Sequence, residues 1–138
     1  MTVNLPAGTT IRGVTFGTPR VGNMAWASFF DSQVSDFTRI NNKRDPVPVV
    51  PGRLLGFRHV LTEIHIQPDG QAIVCPGEYS KFFHTFTRVL IYVFNIDPDD
   101  GVDLQCSDKI VPDVIKGNVN DHSGPYNGIL IGTQDCTP

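Results

Sequence analysis

An early stretch of the sequence follows a strand–helix–strand pattern that strongly constrains the fold. Residues 11–16 (IRGVTF) are rich in β-branched side chains and predict a strand, and residues 36–41 (DFTRIN) predict a second one. Between them, Asn23 suits the N-cap of a helix that runs to about Val34, because apolar residues recur there at spacings of three and four. This order predicts an α/β unit with a parallel pair of strands.

The rest of the chain predicts loops and a hairpin. Pro46, Pro48 and Pro51 lack an amide donor, so residues 41–56 are expected to be irregular. The remaining predicted elements are a third strand at 60–66, a turn at 68–70, a returning strand at 71–74, and a loop at 120–131 that enters a short apolar helix or strand.

Composition excludes several classes of protein. The 138 residues suit one domain, and the formal net charge of −3 gives no basic patch for nucleic acid. With 13 Gly and 11 Pro, the backbone is interrupted too often for a helical bundle. No apolar run approaches the roughly 18 residues of a membrane span, and the N-terminus lacks the pattern of a secretory signal.

Asp45 and His122 stand in settings that suit catalysis. Asp45 follows a predicted strand, where α/β enzymes carry functional groups, and His122 lies in a small, turn-forming context. Position alone favours a turn aspartate for Asp45, and fits a solvated loop histidine at 122 as well as a catalytic one. The other histidines are predicted to begin a strand (His59), to be structural (His65) or to lie in an apolar segment (His84).

A nucleophile motif is missing from these 138 residues. No Gly-x-Ser-x-Gly occurs, and its nearest counterpart, Ser123, has Asp121 and Pro125 in place of the glycines, so we interpret it as non-catalytic. No His or Cys pair has metal-ligand spacing, and the acidic residues 97–103 lack a calcium-loop pattern. No metal or cofactor is expected.

Four segments together resemble the fungal class 3 triacylglycerol lipases. They are TFGTPRVGN (15–23), FTRINNKRDPVPVVP (37–51), GFRHVLTEIHI (56–66) and DHSGPYNGILIG (121–132), and they occur in the order that the family has. The resemblance implies an α/β-hydrolase fold and an ester hydrolase with a Ser-His-Asp triad. It implies that Asp45 is the triad acid and His122 the base, with a lipid or ester substrate met at a lipid–water interface.

The resemblance covers only the C-terminal half of such a lipase, because the family's serine elbow and lid precede the first of these segments. The isolated chain is therefore expected to be inactive. The resemblance also implies a disulfide between Cys75 and Cys106, and a partner for Cys136 in the N-terminal half. It implies secretion, and it leaves triacylglycerols, partial glycerides and feruloyl esters open as substrates.

Residues 81–96 form an atypical apolar insertion in the expected domain 1–138. Codons for residues 80–82 can contain an intron donor sequence and those for 96–97 an acceptor, so a translated intron is one hypothesis and a real insertion the other. Two further functions stay open: a non-catalytic fragment or interaction module, and one half of a two-chain lipase.

Overall fold

The computed structural model describes residues 6, 8–75 and 106–131. Its largest element is a four-stranded mixed sheet. Its strands lie in the order β1 (Arg12–Phe16), β3 (Asp36–Asn42), β5 (Glu63–Ile66) and β6 (Ala72–Cys75). The first two pairs are parallel, and β5 and β6 form the predicted antiparallel hairpin. Two short strands, β2 (Gly22–Asn23) and β4 (Phe57–Arg58), pair antiparallel beside it.

Helix α1 (Met24–Gln33) makes the crossover between β1 and β3. Asn23 is its N-cap, as predicted, and the Asn23 Oδ1 accepts a hydrogen bond from the Trp26 backbone N–H at 3.0 Å. The aromatic ring of Phe30 packs edge-on against that of Phe37, with centroids 4.9 Å apart. The predicted α/β unit is therefore confirmed, with its helix anchored on the strand that follows it.

The proline-rich stretch is more regular than predicted. Strand β3 continues to Asn42, and 3₁₀ helices form at Val47–Val49 and Arg53–Leu55. The expectation of an irregular stretch was wrong because Pro46 is the N-cap and Pro48 lies in the first turn, where a missing N–H breaks no helical hydrogen bond.

The predicted apolar helix or strand within residues 120–131 does not form. A 3₁₀ helix spans Val119–His122, and an isolated bridge between Tyr126 and Ile129 closes a turn. Positive φ angles at Gly124, Asn127 and Gly128 turn the backbone too sharply for a regular element.

A buried polar cluster joins helix α2 (Ser107–Ile110) to the sheet. Both the backbone N–H and the hydroxyl of Ser107 donate to Glu63 Oε1, at 3.1 and 2.6 Å. On the same sheet, Arg39 Nη2 lies 3.5 Å from Glu63 Oε2, and His65 Nδ1 lies 3.1 Å from the Ser107 hydroxyl oxygen. All four side chains are buried, so these contacts hold α2 on the sheet in a low-dielectric setting.

The disulfide between Cys75 and Cys106 forms beside this cluster, as the resemblance implied. It links the end of β6 to the residue before α2 across a sequence separation of 31, worth roughly 3–4 kcal/mol in the chain-entropy model. The insertion at 81–96, His84, the acidic residues 97–103 and Cys136 lie outside the described residues.

Candidate active site

Asp45 lies in a tight turn just beyond the carboxyl end of β3. Its backbone N–H donates to the Asn42 carbonyl at 2.9 Å, and Lys43 takes a positive φ to make the turn. The Asp45 side chain is buried, and its Oδ1 accepts the backbone N–H of Val47 at 2.8 Å. One carboxylate oxygen is thus held by the backbone, which fixes where the other one points.

His122 meets that second oxygen. Its Nδ1 lies 2.9 Å from Asp45 Oδ2, although 77 residues separate the two in sequence. The Asp45 side chain is 1% exposed and that of His122 is 42% exposed, so a buried carboxylate orients a ring that reaches solvent. Within the described part of the chain, Nε2 of His122 makes no hydrogen bond, and this nitrogen is therefore open to a further group.

Backbone and side-chain hydrogen bonds join the loop of Asp45 to the loop of His122. The Asn42 side-chain amide donates to the Asp121 carbonyl at 2.9 Å, and the Arg44 backbone N–H donates to the Asp121 carboxylate at 3.2 Å. The Asn118 backbone N–H donates in turn to the Arg44 carbonyl at 2.7 Å. The Asp–His distance is therefore set by several bonds rather than by one flexible pair.

Tyr126 is hydrogen-bonded to the backbone of His122. Its hydroxyl donates to the His122 backbone carbonyl at 3.2 Å, and the Phe16 ring packs edge-on against it at 5.2 Å. Burial raises the pKa of the Tyr126 phenol, and the negative charge of Asp45 raises it further. Tyr126 and Asp121 received no role from the sequence, although both lie in the same short motif as His122.

Tyr126→Phe is expected to lower the free energy of unfolding by about 1 kcal/mol at neutral pH, because one buried hydrogen bond is lost. Since the folded-state pKa of Tyr126 is raised, the unfolded chain loses this proton first, and wild-type stability should fall as pH rises above about 10. Chemical denaturation at several pH values checks this. An alkaline decline of equal size in the variant would contradict it.

The other histidines play different parts. His65 is buried in β5, in agreement with its predicted structural role. His59 follows β4 instead of beginning a strand, and its Nε2 lies 2.6 Å from the Pro48 carbonyl oxygen. Burial, with the charges of Arg39 and Arg20, lowers the pKa of His59 well below the usual range. His59 also lines an apolar cavity of about 170 Å³ under α1, apart from Asp45 and His122.

Ser123 is exposed, and in the described part of the chain its hydroxyl makes no hydrogen bond to His122. Among the described residues, one group of potential metal ligands occurs, at Glu63, Cys75 and Cys106. The two sulfur atoms are bonded to each other, so they cannot serve as thiolate ligands. No helix that the structure describes has the length and apolar character needed to cross a bilayer.

Parallel strands joined by a helix, with an Asp–His pair beyond their carboxyl ends, define this structure as part of an α/β-hydrolase fold. The family model for class 3 lipases matches residues 2–55. The chain is accordingly related to the fungal class 3 lipases.

Curated relatives and solved structures agree with this relationship. A secreted mono- and diacylglycerol lipase of Malassezia globosa is 39% identical over 90 residues, which are 63% of this chain and 29% of that protein. A Rhizopus oryzae lipase is 33% identical over 93 residues, 63% of this chain and 24% of that lipase. A fungal lipase–inhibitor complex superposes with a TM-score of 0.65 at 29% identity, covering 91% of this chain and 39% of that one. The chain thus spans about a quarter of its curated relatives.

Proposed function

We propose that this chain supplies the acid and the base of a secreted serine ester hydrolase that acts on acylglycerols. The observation that carries the proposal is the hydrogen bond between Asp45 Oδ2 and His122 Nδ1, which leaves Nε2 open. The names of the relatives, secreted lipases of mono- and diacylglycerols, support the substrate class and the location.

The chemistry follows from the geometry of this pair. Nε2 of His122 takes the proton of a serine hydroxyl as that oxygen attacks the ester carbonyl, and later gives it to the leaving alcohol. Asp45 keeps the ring proton on Nδ1 and stabilises the imidazolium that forms between these steps. Water then repeats the cycle on the acyl-enzyme, with His122 again accepting and returning one proton.

Exposed apolar side chains around the His122 loop support an acyl substrate. They lie on the segments before and after His122, namely at Val114, Ile115, Val119, Ile129 and Leu130, and all are more than half exposed. Exposed apolar side chains on the segments that flank His122 in sequence suit an apolar substrate and a lipid–water interface better than a polar metabolite.

The nucleophile is proposed to lie outside these 138 residues. The sequence contains no Gly-x-Ser-x-Gly, Ser123 does not meet His122, and Ser107 is buried against Glu63. We therefore expect the isolated chain to release no nitrophenol from p-nitrophenyl butyrate above the buffer rate. Co-expression with the elbow-bearing N-terminal segment of a fungal class 3 lipase is expected to give hydrolysis that depends on the elbow serine.

Two variants make this experiment decisive. His122→Ala should abolish the activity of the assembled enzyme, and Ser123→Ala, one residue away, should leave it unchanged. Hydrolysis by the isolated chain that Ser123→Ala removes would contradict the proposal and identify Ser123 as the nucleophile.

Sequencing of the spliced transcript tests the proposed domain and its insertion. It shows whether the reading frame continues upstream of codon 1, and whether codons 81–96 are retained as a real insertion or removed as an intron.

Strand β1 favours a second candidate, a chain that acts by pairing with another polypeptide. Among the described residues β1 is an edge strand, and its side chains Val14 and Phe16 are exposed. An open, apolar parallel edge favours the addition of a further strand. Recovery of activity on co-expression would support the hydrolase proposal, with its halves on one chain or on two, and stable pairing without activity would indicate a non-catalytic interaction module.

A further inference from the structure

Gly17 lies directly against the Asp45–His122 hydrogen bond. A β-carbon built at this position would stand 2.6 Å from Asp45 Oδ2, 2.6 Å from His122 Nδ1 and 2.7 Å from His122 Cε1. These distances are below van der Waals contact, and the atoms involved are those that form the pair. A side chain at position 17 and the observed hydrogen bond therefore cannot occupy the same space.

The backbone at Gly17 cannot move aside to make room. Its N–H donates to the Ile40 carbonyl at 2.9 Å, one step beyond the last residue of the β1–β3 ladder. The residue also has φ of +55°, in the left-handed region that glycine adopts without strain. Asp45, for its part, is held by the Val47 N–H. The imidazole is the most exposed member of the group and is the part that would be displaced.

We propose that Gly17 is a positioning residue, whose missing side chain lets the Asp45 carboxylate and the His122 ring meet at 2.9 Å. The proposal rests on the function proposed above for that pair. Gly17 touches no substrate in this scheme. It acts by leaving space, and any L-residue there would push the ring away from the carboxylate.

Ring NMR of His122 in the full 138-residue chain tests the proposal without any turnover. In the wild type we expect the ring proton on Nδ1, protected from exchange by Asp45. Gly17→Ala is expected to abolish that protection and to move the His122 ring ¹⁵N signals as Asp45→Ala does. The matched control is Gly70→Ala, because Gly70 has φ of +87° and no atom within 4 Å of a β-carbon. It should leave the ring signals unchanged while lowering the melting temperature by roughly 4–8 °C.

A double-mutant cycle covers the case in which Gly17→Ala folds poorly. In a His122→Ala background two of the three close contacts are gone and only the contact with Asp45 Oδ2 remains, so the loss of melting temperature caused by Gly17→Ala should be clearly smaller than in the wild-type background. Unchanged ring signals in a folded Gly17→Ala chain, or an equal penalty in both backgrounds, would overturn the proposal. Either result leaves the hydrolase proposal standing, since that proposal is tested by ester turnover.

Discussion

Asp45→Asn is expected to lower kcat of the assembled hydrolase by about 10⁴-fold, with little change in KM or in melting temperature. The side chains have the same shape, so the packing around residue 45 survives. The change removes one negative charge and replaces one acceptor atom by a donor. Both differences fall on the hydrogen bond to His122.

The loss of kcat follows from the hydrogen bond between residue 45 and the Val47 backbone N–H, which decides how the asparagine amide is oriented. The Val47 backbone N–H needs an acceptor, so the asparagine amide must turn its oxygen toward Val47. Its NH₂ group then faces Nδ1 of His122, which must accept, and the ring proton moves to Nε2. An imidazole protonated on Nε2 cannot take the proton of a serine hydroxyl.

Asp69→Asn is the matched control for this substitution. Asp69 also accepts the backbone N–H two residues further on, that of Gln71 at 3.0 Å, but it lies in the exposed turn between β5 and β6. We expect wild-type turnover from this variant. If Asp45→Asn retained kcat within tenfold of the wild type, with the ring proton still on Nδ1, Asp45 would not be the acid of the proposed triad.

Local patterns in the sequence were sufficient for the first strand, helix and second strand. The period of the apolar residues and the capping side chain of Asn23 act within a few residues of one another, and the structure places both as expected. The prediction of an irregular proline-rich stretch was wrong because a missing N–H excludes a residue from a helix interior but not from a first turn. Chain position alone left Asp45 and His122 undecided, since their contact is formed across 77 residues.

Gly17 and the buried polar cluster illustrate what the sequence could not reveal. No local sequence pattern marks Gly17 as a positioning residue, because the atoms that exclude its side chain come from two distant loops. Arg39 and Glu63 lie on neighbouring strands, where charged residues normally indicate a solvent-facing side. Glu63 is buried against Ser107 of α2, and Arg39 lines the cavity under α1. A four-residue helix far along the chain gives no periodic signal that would predict the first of these contacts.

Glu63→Gln is expected to lower the free energy of unfolding by roughly 3–5 kcal/mol, because it removes a buried carboxylate that lies beside the buried Arg39 guanidinium. Arg39 and Glu63 are each about 5% exposed or less, and Arg39 Nη2 lies 3.5 Å from Glu63 Oε2. The glutamine oxygen can still accept from Ser107, which turns the new NH₂ group toward Arg39. Urea denaturation of the oxidised chain measures the loss.

Measuring the free energy of unfolding as the pH is lowered separates the loss of the Glu63 charge from a steric misfit of the glutamine side chain. Burial raises the pKa of Glu63, but hydrogen bonding with His65, the charge of Arg39 and the Ser107 hydroxyl outweigh it, so the pKa is lowered overall. The unfolded chain therefore binds this proton first, and wild-type stability should fall as pH drops below about 4.5. The variant should lack this part of the decline, while the part due to the lowered pKa of His59, which begins near pH 6.5, remains in both.

An exposed ion pair provides the comparison that gives the result its meaning. Asp36 lies 3.7 Å from Arg12 at the start of β3, with side chains 51% and 73% exposed, and Asp36→Asn should cost no more than about 0.5 kcal/mol. The same carboxylate-to-amide substitution is thus expected to lower the free energy of unfolding several-fold more in the buried pair than in the exposed pair. A loss below 1 kcal/mol for Glu63→Gln, or an unchanged acid decline, would mean that water reaches the cluster and that packing and the disulfide alone hold α2 on the sheet.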